Sequence, residues 1–555
     1  IYPFWAIVKW YIQWPFEYEE QFGVAFLTLG AVLAPIIVFT WDLPTFFTEG
    51  KKIKESDLYG SSKFAEKKDI IKAKLLPKNK KESHQRDTVI VGGWIEKRWY
   101  KKTFHYLRHS GPEHILVMAP TRSGKGVALV IPTLLTWEKS VLVTDLKGEL
   151  WAATSGWRRL IAKNKVLRFE PASENSVRWN PFDSIRIGSK EIGDAQNLAM
   201  LVVDPDGKGL EDHWAKTAFA LITGVILFLL HEEKNFHTRI ASLPQILTVL
   251  SDAELEKFVR RDKDETVSCN LWDAMQSYSE LHDIVSAAAI AQTASDIQAA
   301  GTEERPSIIS TAKSFLTLYR DPIVAKNISH SDFVTKDLMN SETPVSLYVI
   351  TQPNDKDRLR PLVRIIINGI TRMLADKMIY KDGRAFGDYK HRMLLMLDEF
   401  PSLGRLPIIE ESLAYVAGYG IKCYLICQDL TQLKKAYGQE ESLSANCHIH
   451  IVFAPNKTET AEQISRRIGR TTVVKYEQHG KDKTPHYYQR DLITTDEVMR
   501  LPQASIEDDR VKSYGEMIVM VAGSPPIKGS QPLYYMDKKF IARTKIPAPQ
   551  QSDVL

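Results

Sequence analysis

The chain has 555 residues, enough for more than one domain, and its 44% hydrophobic and 25% charged residues exclude bulk disorder. A net charge of +5 is a mild basic excess that permits anionic partners without requiring one. Four cysteines with no C-x-x-C pair exclude a disulfide scaffold and argue against zinc, and fit reduced thiols in a cytosolic setting.

Residues 1–20 are aromatic-rich and end in Glu17, Glu19 and Glu20. Residues 22–41 then run without a charge, long enough to cross a bilayer's hydrocarbon core. Aromatic residues mark the edges of this run, and Lys51, Lys52 and Lys54 lie beyond it. Acids before and lysines after place the N-terminal side outside and the bulk of the chain in the cytoplasm. The cationic start and small-residue cleavage site of a signal peptide are not evident. Residues 51–110 are lysine-rich and include Trp94, Trp99, Tyr100, Phe104 and Tyr106. They read as a membrane-proximal connector, solvated or in contact with lipid headgroups.

The run I-L-V-M-A-P-T-R-S-G-K-G at 115–126 predicts a buried strand, a tight small-residue loop, and a helix continuing through 127–131. Strand, phosphate-sized loop and helix with Lys at its first turn is the layout of a P-loop. Backbone N–H groups of Arg122, Ser123, Gly124, Lys125 and Gly126 are placed to converge on a β-phosphate. The helix N-terminus adds partial positive charge and Lys125 a whole one. Thr121 and Val127 flank this cradle. Ala119 stands where the motif's first Gly belongs, and Gly126 where a Ser or Thr hydroxyl meets Mg²⁺. Either a water fills that place, or Thr121 or Ser123 supplies the oxygen.

A second strand at 140–145 ends in Asp145-Leu146-Lys147-Gly148-Glu149. Strand after helix is the βαβ signal of a parallel sheet, with its polar tips facing the ligand crevice. Residues 190–335 carry helical patterns at 194–202, 214–231, 242–250, 252–261 and 284–300, read as an all-α domain inserted into the sheet domain. The apolar run 218–230 is too short to span a membrane and reads as that domain's core helix. Strands resume at 344–350. A long amphipathic helix is expected near 357–378, then an apolar strand ending in Asp398-Glu399. This is a Walker B element, expected beside the P-loop strand, with Asp398 in the Mg²⁺ shell, through water, and Glu399 polarising the attacking water. The next strand, 421–427, ends in Gln428, placed to sense the γ-phosphate or its water. A strand at 448–453 and a helix at 458–468 follow.

This order is that of a RecA-like motor: an α/β P-loop NTPase domain at 111–189 and 336–540, an all-α domain at 190–335, and a tail at 541–555. Such motors act as rings when an arginine from the next subunit meets the γ-phosphate, and Arg405, Arg467 and Arg470 are the candidates.

Seven segments together resemble the TraG-like type IV secretion coupling proteins. They are A-P-T-R-S-G-K-G at 119–126, D-L-K-G-E at 145–149, W-N-P-F-D at 179–183, L-D-E-F-P-S-L-G at 397–404, Gln428-Asp429, L-I-T-T-D-E-V at 492–498 and V-A-G-S-P-P-I at 521–527. G-S-S-K-F-A at 60–65 is similar to the family's membrane-proximal motif. Gly126 in the last P-loop position is common in that family. The resemblance implies an ATPase using ATP and Mg²⁺, anchored in the bacterial inner membrane and its lipids by one or two N-terminal helices. It implies a homo-oligomeric, hexameric ring at the mouth of a secretion channel, working with type IV secretion channel components. The cargo would be relaxase-bound single-stranded DNA, effector proteins, or both, with the all-α domain implicated in substrate choice. Two rival readings are a double-stranded DNA translocase of the chromosome-segregation kind and a nucleotide-gated docking platform without motor activity.

Overall fold

The computed structural model describes residues 59–78, 87–98, 101–236, 241–262, 265–281, 283–376, 378–381, 384–479, 482–507 and 510–555. The expected spanning segment, 22–41, lies outside them. The described residues form two compact bodies, the larger within 64–468 with 493–555 and the smaller from 59–63 with 469–492. In the smaller body, Arg470–His479 pairs antiparallel with Asp482–Asp491 as a long ribbon. Residues 59–62 lie along that ribbon, through a Ser61–Thr471 bridge and a Ser62 N–H bond to Arg470 O.

The larger body is organised on an eleven-stranded sheet. Its strands are β1 (Val89–Arg98), β2 (Lys101–His109), β3 (Ile115–Met118), β4 (Ser140–Leu146), β5 (Lys165–Phe169), β6 (Val345–Thr351), β7 (Met393–Leu397), β8 (Ile421–Cys427), β9 (Ile449–Val452), β10 (Glu516–Val521) and β11 (Ile527–Ser530). Their order across the sheet is β2, β1, β11, β10, β9, β3, β8, β7, β4, β6, β5. From β9 to β5 every pairing is parallel, and from β9 outward to β2 every pairing is antiparallel. Every residue of β3, β7, β8 and β9 is buried. That is why these strands read as near-continuous apolar runs, interrupted by Lys422 in β8 and His450 in β9, rather than as alternating ones.

Three expectations need correction, and one feature was not foreseen. Residues 89–109 are not a connector: β1 and β2 extend the sheet, and Val89, Ile90, Val91 and Leu107 are in its core. The Asp398-Glu399 strand is not beside the P-loop strand. β8 lies between them, so the two tips are separated by two strand spacings, about 10 Å. Within 190–335 the chain is mostly helical but includes an antiparallel hairpin, Phe258–Asp262 with Glu265–Cys269, where a helix was expected. Phe258 is buried there against Phe228, rings 5.4 Å apart, and β-branched Val259 and Val267 suit the extended backbone. Finally, the end of the chain folds back. Asp553 N–H bonds Val166 O at 2.9 Å, its carboxylate accepts from Val166 N–H, and Ser552 Oγ accepts from Arg168 N–H. These contacts cover the exposed edge of β5.

The amphipathic helix runs Lys356–Leu374, and Met378 already begins the next hairpin. Among the described residues one helix, His213–Phe236, contains a stretch apolar and long enough to cross a membrane. Leu221, Val225, Ile226, Leu227, Phe228 and Leu229 are all 0% exposed, and since 225–229 span a full turn the helix is buried all round there.

One buried arginine holds the P-loop helix in place. Arg158 donates to Leu134 O, Trp137 O and Lys139 O, and to the side chains of Asn164 and Ser346, at 2.5–2.9 Å. Its guanidinium satisfies carbonyls at the end of that helix and locks them against β6.

Candidate active site

The parallel strands all present their carboxyl ends at one edge of the sheet, and the polar residues of the sequence motifs gather there. Past β3 the ladder continues one residue, with Ala119 N–H bonding Cys427 O at 2.9 Å. The loop then turns through two left-handed residues, Arg122 at φ 61° and Gly124 at φ 85°. Gly at 124 relieves that geometry, and Arg122 tolerates it in an exposed position. The helix opens with a wide π turn, Gly126–Val130, before Ile131–Leu134.

Lys125 reaches across β8. Its Nζ lies 2.9 Å from Asp398 Oδ1 and donates to Glu399 Oε1 at 3.2 Å. Burial pulls the Lys125 ammonium down, but the Asp398 and Glu399 carboxylates outweigh it and hold it above its ordinary value. The mirror argument applies to Glu399. Burial pushes the carboxyl up, and Lys125, then Lys356, then the Gln428 amide bring it below the usual range. Gln428 Nε2 donates to Glu399 Oε1 at 3.5 Å, and Lys356 Nζ lies 3.6 Å from Oε2. Lys125, Asp398, Glu399 and Gln428, found separately in sequence, are thus one cluster.

Glu399 is held at φ 51°, ψ 37°, a left-handed conformation costing a non-glycine residue about 1–3 kcal/mol. The structure fixes it from both sides. Asp398 N–H bonds Thr144 Oγ1 at 2.9 Å, tying the strand tip to β4, and Ser402 N–H bonds Glu399 O at 2.9 Å. Phe400, fully buried, packs near Tyr437. Asp429, next to Gln428, caps the helix Leu430–Tyr437 by accepting from Gln432 N–H at 2.8 Å.

The donor set fits a hydrated divalent cation. Asp398 lies where the phosphates would be clamped, and Ser123 Oγ is buried without a hydrogen-bond partner. Thr121 is exposed on the loop, which makes Ser123 the better-placed hydroxyl of the two. A Cβ built on Gly126 meets nothing within 4 Å, so the position has room for a hydroxyl side chain or a water.

The three arginine candidates are not gathered at this cluster. Arg405 donates to Glu410 at 2.7 Å. Arg467 lies against both ring nitrogens of His450, at 3.1 Å. Arg470 sits in the smaller body, 3.3 Å from Asp491. Two residues escaped the sequence reading. Thr144 precedes Asp145 at a strand tip, and only sheet order shows that it faces Asp398. Lys356 opens a helix 43 positions before Glu399, and no spacing rule connects them. Other family segments have local roles. Asn180 donates to Ala241 O and Ser329 O, closing the entrance to the helical segment. Thr494 and Glu497 form a reciprocal capping box.

A phosphate loop on one parallel strand, acids on the next but one, and a polar amide on the strand between define the RecA-like nucleoside-triphosphatase fold. Comparisons with known proteins agree. Residues 52–553 match the family model described as type IV secretory system conjugative DNA transfer, and the chain belongs to that family. It is 48% identical over 580 residues to the conjugal transfer protein TraG of Escherichia coli, covering 100% of this chain and 88% of the relative. It is 28% identical over 469 residues to the protein VirD4 of Agrobacterium fabrum (strain C58 / ATCC 33970), covering 81% of this chain and 62% of the relative. The fold is shared with the bacterial conjugative coupling protein TrwB. One TrwB structure, in complex with sulphate, has a TM-score of 0.59 at 17% identity, over 86% of this chain and 95% of that one. Another, with an ATP analogue, has a TM-score of 0.57 at 17% identity, over 85% and 93%.

Proposed function

We propose that the chain is the ATP-hydrolysing coupling motor of a type IV secretion system, driving relaxase-bound DNA or effector proteins toward the channel. The observation that carries this reading is the position of Lys125 between Asp398 and Glu399, with Gln428 on the same carboxylate. The four groups that a P-loop hydrolase needs converge on one point, one ammonium against two carboxylates. TrwB, which shares the fold, is described in complex with ADP and Mg²⁺ and with an ATP analogue.

In this reading the loop N–H groups of residues 121–127 cradle the phosphates, and Lys125 leaves the carboxylates for the β- and γ-phosphate oxygens. Glu399 then carries its charge beside the γ-phosphate, orients a water and takes its proton as the water oxygen attacks the γ-phosphorus; the bond from that phosphorus to the β–γ bridging oxygen breaks, and ADP leaves with the electron pair while the γ-phosphoryl group departs as inorganic phosphate. Gln428 holds Glu399 and the water in line. Asp398 would hold Mg²⁺ through water, which supplies charge neutralisation for the phosphates when bound. A homo-hexameric ring would bring an arginine to the γ-phosphate in trans, with Arg405, Arg467 and Arg470 as the candidates. Segment 22–41 would anchor the ring in the inner membrane.

Steady-state ATPase measurements on wild type and Lys125→Ala, with and without single-stranded DNA, test the reading. The expected loss in the variant is about 100-fold or more. A wild type that turns over no faster than Lys125→Ala under every DNA condition overturns the motor and leaves the docking platform. Cross-linking in cells, recovering either DNA with a relaxase or effector proteins, decides the cargo.

A further inference from the structure

Glu399 is gripped at both oxygens by different parts of the chain. Oε1 faces Lys125 and Gln428, and Oε2 faces Lys356. Once Lys125 is drawn to phosphate, Lys356 is the cation left on the carboxylate. It opens the helix Lys356–Leu374, and residues four and eight positions on share its face. Those residues are Arg360 and Arg364.

Both arginines hold the loop 204–209, which joins the helices Glu191–Val203 and His213–Phe236. Arg360 Nη2 donates to Asp206 Oδ1 at 2.5 Å. Arg364, buried, donates to Asp204 O at 2.6 Å and to Arg405 O at 2.8 Å. The Asp204 carboxylate accepts from Lys208 and Gly209 N–H, which closes the loop on itself. Backbone meets backbone here. A Cβ on Gly207, at φ 74°, would lie 2.6 Å from Arg405 O, and one on Gly404, at φ 78°, 2.9 Å from Asp206 O. Residues 404–405 directly follow the short turn that Glu399 starts. The same helix face therefore touches the catalytic carboxylate at one end and the entrance to the helical segment at the other.

We propose that Lys356 is a positioning residue for Glu399, and that the Lys356–Arg360–Arg364 face couples the state of this carboxylate to the loop 204–209. The proposal rests on the reading of Glu399 as the base of an ATPase. With Oε2 anchored by Lys356, Oε1 is the oxygen presented to water, and a displacement of the Glu399 side chain is passed through Lys356 to the helix it opens, which carries Pro361 in its interior, and so to the helical segment. Lys356 makes no contact with substrate in this scheme and acts through Glu399.

The test uses the full chain with Lys356→Gln and Lys356→Arg. Lys356 is partly exposed, so neither substitution opens the core. In Lys356→Gln, kcat is expected to fall about 10-fold while KM changes less than about threefold, and Lys356→Arg restores most of kcat. Hydrogen exchange across 204–212 is expected to differ between the ADP and ATP-analogue states in wild type and to lose that difference in Lys356→Gln. If wild type hydrolyses ATP and Lys356→Gln matches its kcat, the positioning role is wrong. Exchange at 204–212 that ignores nucleotide in wild type overturns the coupling. If wild type does not hydrolyse ATP at all, the function proposed above falls and takes this inference with it.

Discussion

Two lysines at opposite ends of the sheet show how far environment decides what a residue does. Lys125 lies at the carboxyl ends of the parallel strands, between two carboxylates, and is held above its ordinary pKa. Lys422 is the second residue of β8, at the other end, and is 0% exposed. Its Nζ meets His109 Nδ1 at 2.7 Å and Gly111 O at 2.8 Å. Burial, with Arg392 nearby, pulls it down to about 7. Glu113 is the nearby counter-charge, but it bonds His109 Nε2 at 3.2 Å rather than Lys422. In the proposed function the first lysine is a charge kept for a ligand. The second is a hydrogen-bond donor fastening the end of β2 and the turn after it to β8, and its charge is a cost.

The largest expected effect separates the two by activity. Lys125→Ala lowers turnover about 100-fold or more, as proposed above, while Lys422→Met leaves kcat within about threefold, because its role is structural. A collapse of activity in a folded Lys422→Met protein would erase the distinction. A smaller effect lies in stability. Lys422 has a folded pKa of about 7 against an ordinary 10.5, so between those values the unfolded chain holds a proton that the native chain has released. Stability therefore rises with pH across that window, by up to about 1.4 kcal/mol per pH unit, and is flat with respect to this group below it. Urea midpoints from pH 7.5 to 9.5 should show the rise in wild type and not in Lys422→Met. The smallest effect concerns the P-loop. Gly126→Ser has open space for its hydroxyl, so it should retain activity and lower the Mg²⁺ concentration for half-maximal rate about two- to fivefold. An inactive but folded Gly126→Ser would mean that the position needs bare backbone.

The same contrast explains what was legible in the sequence. The P-loop and the acids at 398–399 are local: a strand, a turn and a charge within a dozen residues carry their own chemistry. Gln428 could be placed because it ends an apolar run of strand length. Sheet order was not legible, since β7 is wholly apolar, β8 is apolar but for Lys422, and nothing local says which of them pairs with β3. The hairpin at 89–109 was hidden by its lysines, Lys97 near the end of β1 and Lys101 and Lys102 on the edge strand β2, which stays soluble by carrying charge. Thr144, Lys356 and Lys422 acquire their roles from partners 43 to 313 positions away, where only the tertiary fold brings them together.

The central claim is that Lys125 waits on Asp398 and Glu399 and transfers to the nucleotide. A structure of the Glu399→Gln protein with ATP and Mg²⁺ tests it directly. The account predicts Lys125 Nζ within about 3 Å of a phosphate oxygen, with the loop N–H groups of 122–126 around the same phosphate. Nucleotide bound away from this loop, or Lys125 still paired with Asp398 beside a bound triphosphate, would contradict it.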